Sequence, residues 1–255
     1  MLTTKQKADL GILFKIPNSI RLAYLRHKFA GDKVLCPCCK STFREFAPFS
    51  IWKKPNSWCV RCESLERHRA LWMYLEDKTD IYRKPVKLLH VAPEDMLFKR
   101  FAQEANIDYY PADILPYLYQ KGTKYLDLLD PDIPDNTFDV ILCNHVFAYI
   151  HDDKKAIRNV YKMLKPGGWG ILQVALDPTK AETHEDLTIT DPKERERVFG
   201  LNDHVRLYGL DYKDTLEAAG FEVRVDDYTA EFTDDEIFKY GFWKGDPFYV
   251  VTKKL

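Results

Sequence analysis

The chain has 255 residues, 45% hydrophobic and 30% charged, which suits one full-sized domain with a smaller companion and argues against a long repeat array. No apolar run approaches the roughly 18 residues of a membrane helix, and glycine, at 11 positions, is absent between Gly31 and Gly122, so that interval holds no glycine-rich nucleotide loop. The net charge of −1 divides unevenly: residues 1–85 carry 17 basic and 8 acidic side chains against 21 and 31 in the rest, and two parts with different surfaces are expected.

Residues 1–30 read as a basic amphipathic helical segment, with Leu22, Leu25 and Phe29 available for packing. The broken apolar patch from Leu10 to Ile16, ended by Pro17, is too short for a secretory signal, which makes the cytoplasm the expected compartment.

Five of the six cysteines lie within residues 36–62, where Cys36-Pro37-Cys38-Cys39 and Cys59-Val60-Arg61-Cys62 form two CxxC pairs 19 residues apart. This spacing is that of a structural zinc site. Cys36, Cys39, Cys59 and Cys62 are the expected ligands, with Cys38 as an alternative in the first pair. Four thiolates close a tetrahedral sphere and leave no open position for catalysis. Phe43, Phe46, Phe49, Ile51, Trp52 and Trp58 supply the apolar residues of a zinc ribbon. A helix is predicted next, with Ser64 as N-cap and Leu65, His68, Trp72 and Leu75 on one face. There His68 reads first as a partly buried structural histidine, the alternative being that Arg67, His68 and Arg69 reach an active site.

From Lys87 short apolar runs alternate with helical segments, the pattern of a parallel sheet built from βαβ units. Residues 86–92 form the first predicted strand, Met96 to Ala105 a helix, Tyr109 to Ala112 a second strand ending at Asp113, and Phe138 to Cys143 a buried strand ending at Asn144-His145. Asp113 lies 21 residues after Ala92, the spacing at which an acid can receive ribose hydroxyls. Asp152-Asp153 should cap a helix with Ala156, Ile157, Val160, Tyr161 and Leu164 on one face; Lys165-Pro166-Gly167-Gly168 should stop it, and a strand should run from Trp169 to Ala175.

The run FDVILCNHVFAYIHDDKKAIRNVYKMLKPGGWGILQV, residues 138–174, resembles the central stretch of class I S-adenosylmethionine (SAM)-dependent methyltransferases. Asp127-Leu128, Pro134 to Asp139 and Leu216 to Phe221 fit the same pattern, and the zinc ribbon followed by SLERHR, HVAPE, CNHV and DHVRLYG is similar to a bacterial subgroup of these enzymes (methyltransferase type 11-like). The resemblance implies an α/β fold, a Rossmann-like seven-stranded sheet with its last strand antiparallel. It implies a zinc ribbon plus helix over residues 31–80 and a methyltransferase domain over 81–255. It further implies that His90, Val91, Ala92, Pro93 and Glu94 line the methionine part of SAM, that Asp113 holds the ribose, that Asp127 and Leu128 flank the adenine, and that Asn144 and His145 face the methyl group. One departure is plain: the glycines usual after the first strand are replaced by HVAPED, with Ala92 in the close-approach position.

On the acceptor side, residues 177–211 are too long for a passive connection and read as an insertion or lid carrying His204, Arg206 and Tyr208. His145 and His204 are the candidate bases, with Tyr149, Tyr208 and Arg206 as orienting groups. The expected acceptor is a small molecule, methylated on N, O or S. An RNA acceptor bound through the basic zinc-ribbon region is the alternative, and a non-catalytic zinc-stapled scaffold the third reading.

Overall fold

The computed structural model describes residues 18–49 and 54–255. The segment before residue 18, and Ile51 and Trp52 of the ribbon, lie outside the described residues.

The elements are α1 (Asn18–Lys28), β1 (Val34–Leu35), β2 (Thr42–Phe43), β3 (Ala47–Phe49), β4 (Lys54–Trp58), α2 (Glu66–Lys78), β5 (Val86–Val91), α3 (Asp95–Phe101), β6 (Ile107–Asp113), β7 (Lys124–Tyr125), β8 (Phe138–Asn144), α4 (Asp153–Met163), β9 (Leu164–Gln173), β10 (His184–Glu185), α5 (Pro192–Phe199), β11 (Arg206–Leu207), α6 (Tyr212–Ala218), β12 (Glu222–Asp226), α7 (Asp234–Tyr240) and β13 (Phe248–Thr252). They fall into two compact units: residues up to Ile81 with Asp227–Pro247, and Tyr82–Asp226 with Phe248–Leu255. Residues 227–247, which the sequence leaves inside the methyltransferase domain, therefore group with the cysteine-rich unit. No helix among the described residues is long and apolar enough to cross a membrane.

The larger unit is built on a seven-stranded sheet of order β12-β13-β9-β8-β5-β6-β7. β5, β6, β7, β8 and β9 run parallel, and β13 is antiparallel to both β9 and β12. β8 is buried at six of its seven positions, as expected of a strand covered on both faces. α4 buries Ala156, Ile157, Val160 and Met163 along one stripe, and the Asp152 carboxylate caps it by accepting from Lys155 N at 2.9 Å. β9 starts earlier than its sequence predicts. Leu164 already pairs with Phe138, and a register shift before Val140 absorbs Pro166, which has no N–H, while Gly167 at φ +75° donates to Lys253 O.

The smaller unit has its own core of Phe29, Val34, Phe43, Phe46, Trp58 and Leu65 among the cysteines. Two short antiparallel pairs, β1-β2 and β3-β4, carry the cysteine turns. Arg69 on α2 is wholly buried, its guanidinium 3.9 Å from the Phe46 ring centre. It donates to four carbonyls: Ser57 at 2.8 Å, Ser64 at 3.0 Å, Tyr240 at 2.7 Å and Gly241 at 2.8 Å. Asn56 makes a parallel tie, accepting from Phe46 N and donating to Phe238 O. Gly241 caps α7 at φ +61°, and a Cβ there would meet the Phe46 ring at 2.5 Å. Residues 227–247 are thus held to this unit by polar bonds from Asn56 and Arg69.

Candidate functional site

Each CxxC pair closes the same turn. Cys36 N donates to Ser41 O and Lys40 N to Cys36 O, and Cys59 N donates to Ser64 O and Glu63 N to Cys59 O. The residue after each second cysteine, Lys40 at φ +57° and Glu63 at φ +62°, turns left-handed. This repeat brings the sulfurs of Cys36, Cys39, Cys59 and Cys62 within 4.8 Å of one another. Cys36 and Cys62 stand 3.6 Å apart and Cys39 and Cys59 3.7 Å. Four sulfurs about 2.3 Å from a tetrahedral ion would be separated by about 3.8 Å, so the donor set fits zinc. Cys38 is not among the four.

Ser64 does not cap the helix, as its sequence position predicts. Its hydroxyl lies 3.3 Å from the Cys62 sulfur and 3.4 Å from that of Cys36, and Leu65 precedes the first helical residue. His68 Nδ1 accepts from Leu65 N at 3.2 Å, a local bond at the helix start.

In the larger unit, the sheet reverses its winding between β5 and β8, where open α/β sheets bind ligands at the strands' carboxyl ends. Both strands leave the sheet through a left-handed residue, Ala92 at φ +51° and His145 at φ +55°. For a residue with a Cβ this conformation costs roughly 1 kcal/mol. Ala92 N still donates to Ala112 O at 2.9 Å and His145 N to Gln173 O at 2.7 Å, so neighbouring strands stay paired to their ends.

Four side chains meet there. His90, wholly buried, lies with Nε2 2.6 Å from Glu94 Oε2 and Nδ1 2.9 Å from the Tyr109 hydroxyl. Asn144 donates Nδ2 to Glu94 Oε1 at 3.1 Å, and its own Oδ1 is buried with no hydrogen-bond partner. Val91 and Pro93 are buried, whereas Ala92 and Glu94 are partly exposed. Tyr109 carried no sequence signal for this site beyond its place on β6.

One strand away, Asp113 ends β6 and accepts from Leu115 N at 2.7 Å. Burial raises its carboxyl pKa, opposed by the Leu115 amide and the Tyr119 hydroxyl. Asp127 accepts from Leu129 N at 2.8 Å in a turn, and the adjacent Leu128 is buried, its carbonyl accepting from Asn159. Asp113, Asp127 and the Glu94 cluster thus follow one another along the carboxyl ends of β6, β7 and β5.

Residues 177–211 form a small layer of their own, with β10 and β11 pairing antiparallel and α5 between them. Arg206, 1% exposed, donates to Phe147 O at 2.7 Å, His151 O at 2.9 Å and also Ile150 O, and its Nε donates to Glu185 at 2.6 Å. The Tyr208 hydroxyl donates to Asp153 Oδ2 at 2.6 Å. Both side chains brace the loop after β8 from within. His204 is buried against the exposed Tyr149, ring centres 4.7 Å apart, edge to face. Its Nδ1 has no hydrogen-bond partner.

Burial lowers the His204 pKa, opposed by Asp203 and a bond to the Phe199 carbonyl. A folded pKa below the unfolded value of about 6.5 means that the unfolded chain binds the proton more readily. The His204 contribution to stability is therefore present above about pH 6.5 and lost as pH falls through the lower folded pKa. Urea titrations at several pH values between 8 and 5 are expected to show a shallower acid loss in His204→Gln than in wild type; equal slopes would contradict this.

The family described as "Methyltransferase domain" matches residues 72–225. Similar solved structures include an S-adenosylmethionine-dependent methyltransferase from Mesorhizobium loti, at 18% identity over 71% of this chain and 96% of that one, TM-score 0.47. Phosphoethanolamine N-methyltransferase 2 of Haemonchus contortus follows at 14% identity, 77% and 54% coverage and TM-score 0.49, and the YcgJ protein of Bacillus subtilis at 13%, 74% and 99%, and 0.45. None of the curated proteins compared with the chain matches it. The matched span is more than half of the chain and contains the parallel strands and the carboxyl-edge cluster, so the chain belongs to the methyltransferase-domain family, as a class I SAM-dependent methyltransferase.

Proposed function

We propose that the protein transfers a methyl group from SAM to a small-molecule acceptor, at an N, O or S atom, and that Cys36, Cys39, Cys59 and Cys62 hold a structural zinc ion. The observation that carries the cofactor assignment is the polar cluster at the β5/β8 carboxyl ends, above all the buried, unpartnered Asn144 Oδ1 beside the Glu94 carboxylate. A buried acceptor without a donor costs about 1–3 kcal/mol, which a ligand N–H would recover. When bound, SAM supplies a methyl group on a positively charged sulfur, activated for in-line displacement.

The chain's own residues bind and orient. Asp113 is assigned the ribose hydroxyls, Asp127 and the Leu128 backbone the adenine, and residues 90–94 with Asn144 the methionine end. His145, at the left-handed end of β8, faces the acceptor side. There the task is to position a nucleophile and exclude water. The layer 177–211 serves that purpose, because Arg206 and the Val205 N to Ala148 O bond pin it to the loop after β8. His204 is assigned the proton of the acceptor: its neutral ring is bonded to the Phe199 carbonyl, which only accepts, so the other nitrogen, Nδ1, is a bare acceptor. Tyr149 orients the acceptor, and Arg206 and Tyr208 act indirectly by holding the loop.

Calorimetry with S-adenosylhomocysteine tests the assignment. Wild type should bind one equivalent. Asp113→Ala is expected to bind it about 10- to 100-fold more weakly, the effect of losing one or two bonds to a charged acceptor; unchanged affinity would remove Asp113 from the site, and no binding by wild type would favour a scaffold. The basic surplus in residues 1–85 supports the RNA alternative. Tight binding of a structured RNA that weakens steeply with added salt would transfer the acceptor to that class.

A further inference from the structure

The side chains around Glu94 form a chain of contacts that begins at the partly buried Tyr109, midway along β6. Tyr109, on β6, and His90, on β5, are packed among Phe98 and Phe101 of α3, with His90 edge-on to Phe101 at 5.7 Å and Tyr109 5.5 Å from both phenylalanine rings. In such surroundings hydrogen bonds are stronger than in water. The proton positions follow from chemistry. The Glu94 carboxylate offers no proton, so His90 Nε2 donates to it. Burial and the nearby Glu94 charge hold the Tyr109 hydroxyl pKa well above its usual value, so the hydroxyl keeps its proton and donates to His90 Nδ1. The order of donation is Tyr109 to His90 to Glu94.

The other Glu94 oxygen is held by Asn144 Nδ2. The same Asn144 amide carries the buried Oδ1 that nothing in the fold satisfies. A carboxylate fixed from two sides, with a bare amide oxygen on the group that fixes it, is the complement of a compact cation with several N–H donors. A primary ammonium has three such donors and no acceptor.

We infer that His90 and Tyr109 are positioning residues that hold the Glu94 carboxylate, together with Asn144 Oδ1, as the receptor for the α-ammonium group of SAM. This rests on the cofactor reading above and gives it a specific polar anchor. It places the acid at the start of α3 rather than on β5, where His90 occupies the strand. The left-handed Ala92 lies between the two, and the Glu94 carboxylate stands within 2.6 Å of His90 Nε2.

Two probes separate this role from mere packing. S-adenosylhomocysteine carries the ammonium, and 5′-methylthioadenosine keeps the adenosine and the thioether but lacks the amino-acid portion. In calorimetric titrations of the full chain, Glu94→Gln and His90→Phe should each lose about tenfold or more in affinity for S-adenosylhomocysteine, and Tyr109→Phe a smaller factor of about three to ten. Affinity for 5′-methylthioadenosine should stay within about twofold in all three. His90→Gln, which can still offer an N–H near Glu94, should recover most of the loss. Parallel loss of both probes would make the network structural only and overturn the inference, as would unchanged S-adenosylhomocysteine binding in Tyr109→Phe and His90→Phe. If wild type binds neither probe, the cofactor reading itself falls and this inference with it.

Discussion

Cys59→Ser is expected to lose its metal and with it the fold of the cysteine-rich unit. The sulfurs of Cys36, Cys39, Cys59 and Cys62 are already at tetrahedral spacing, and structural zinc sites of this kind contribute about 10–16 kcal/mol in small domains at neutral pH. The apolar core around the two turns is small and threaded by the cysteines themselves, so the turns depend on the metal more than on packing. Metal analysis of the untagged wild type should give one zinc per chain; Cys59→Ser should give none, and limited proteolysis should then cut between residues 29 and 65. Cys38→Ser is the informative control. Its side chain lies outside the four-sulfur set, and it should retain zinc. A wild-type protein without zinc, or a Cys59→Ser protein that keeps it, would end the structural-zinc assignment.

Arg69→Met should be the most damaging substitution away from the cysteines. The guanidinium satisfies four carbonyls at once, from the strand before the second cysteine turn, from the turn itself and from the end of α7. Removing it takes a donor from all four carbonyls, of which Ser64 O keeps its bond from Cys59 N. The cost is expected to reach about 3–5 kcal/mol, the range for breaking a buried charged network by removing one member. Arg69→Lys should restore only part of this, since a single ammonium has three donors and no planar fork. Urea unfolding followed by tryptophan fluorescence measures both; a wild-type midpoint in Arg69→Met would refute the bracing role.

The central strands of the large sheet, β5 and β8, were legible because both of their faces are covered. Runs such as Leu88-Leu89 and Val140-Ile141-Leu142 could sit only in a parallel core, and Asp113 and Asn144 are visible as the polar residues at which such runs stop. The cysteine turns were legible through spacing alone. What sequence could not show were interactions between distant residues. Tyr109 reads as an ordinary strand residue until β6 is laid beside β5 and its hydroxyl reaches His90. Arg69 carries a charge that usually marks a solvated face, and only its four carbonyl partners explain its burial. Residues 227–247 follow the sheet strand β12 directly, so nothing local announces that Phe238, Tyr240 and Gly241 answer to Asn56 and Arg69. Ala92 is the subtler case. Its left-handed turn is the kind a glycine would have announced, and alanine hides it.

The attachment of residues 227–247 to the cysteine-rich unit has a consequence for how the protein is made. Domains commonly fold as they leave the ribosome, starting from the N-terminus. Here both cysteine turns are synthesised in the first quarter of the chain, yet two of the carbonyls that satisfy Arg69 belong to Tyr240 and Gly241. The cysteine-rich unit is thus completed only after most of the sheet between its two segments has been synthesised. A nascent chain must therefore keep Arg69 without two of its carbonyl partners until nearly all of the sheet has been translated.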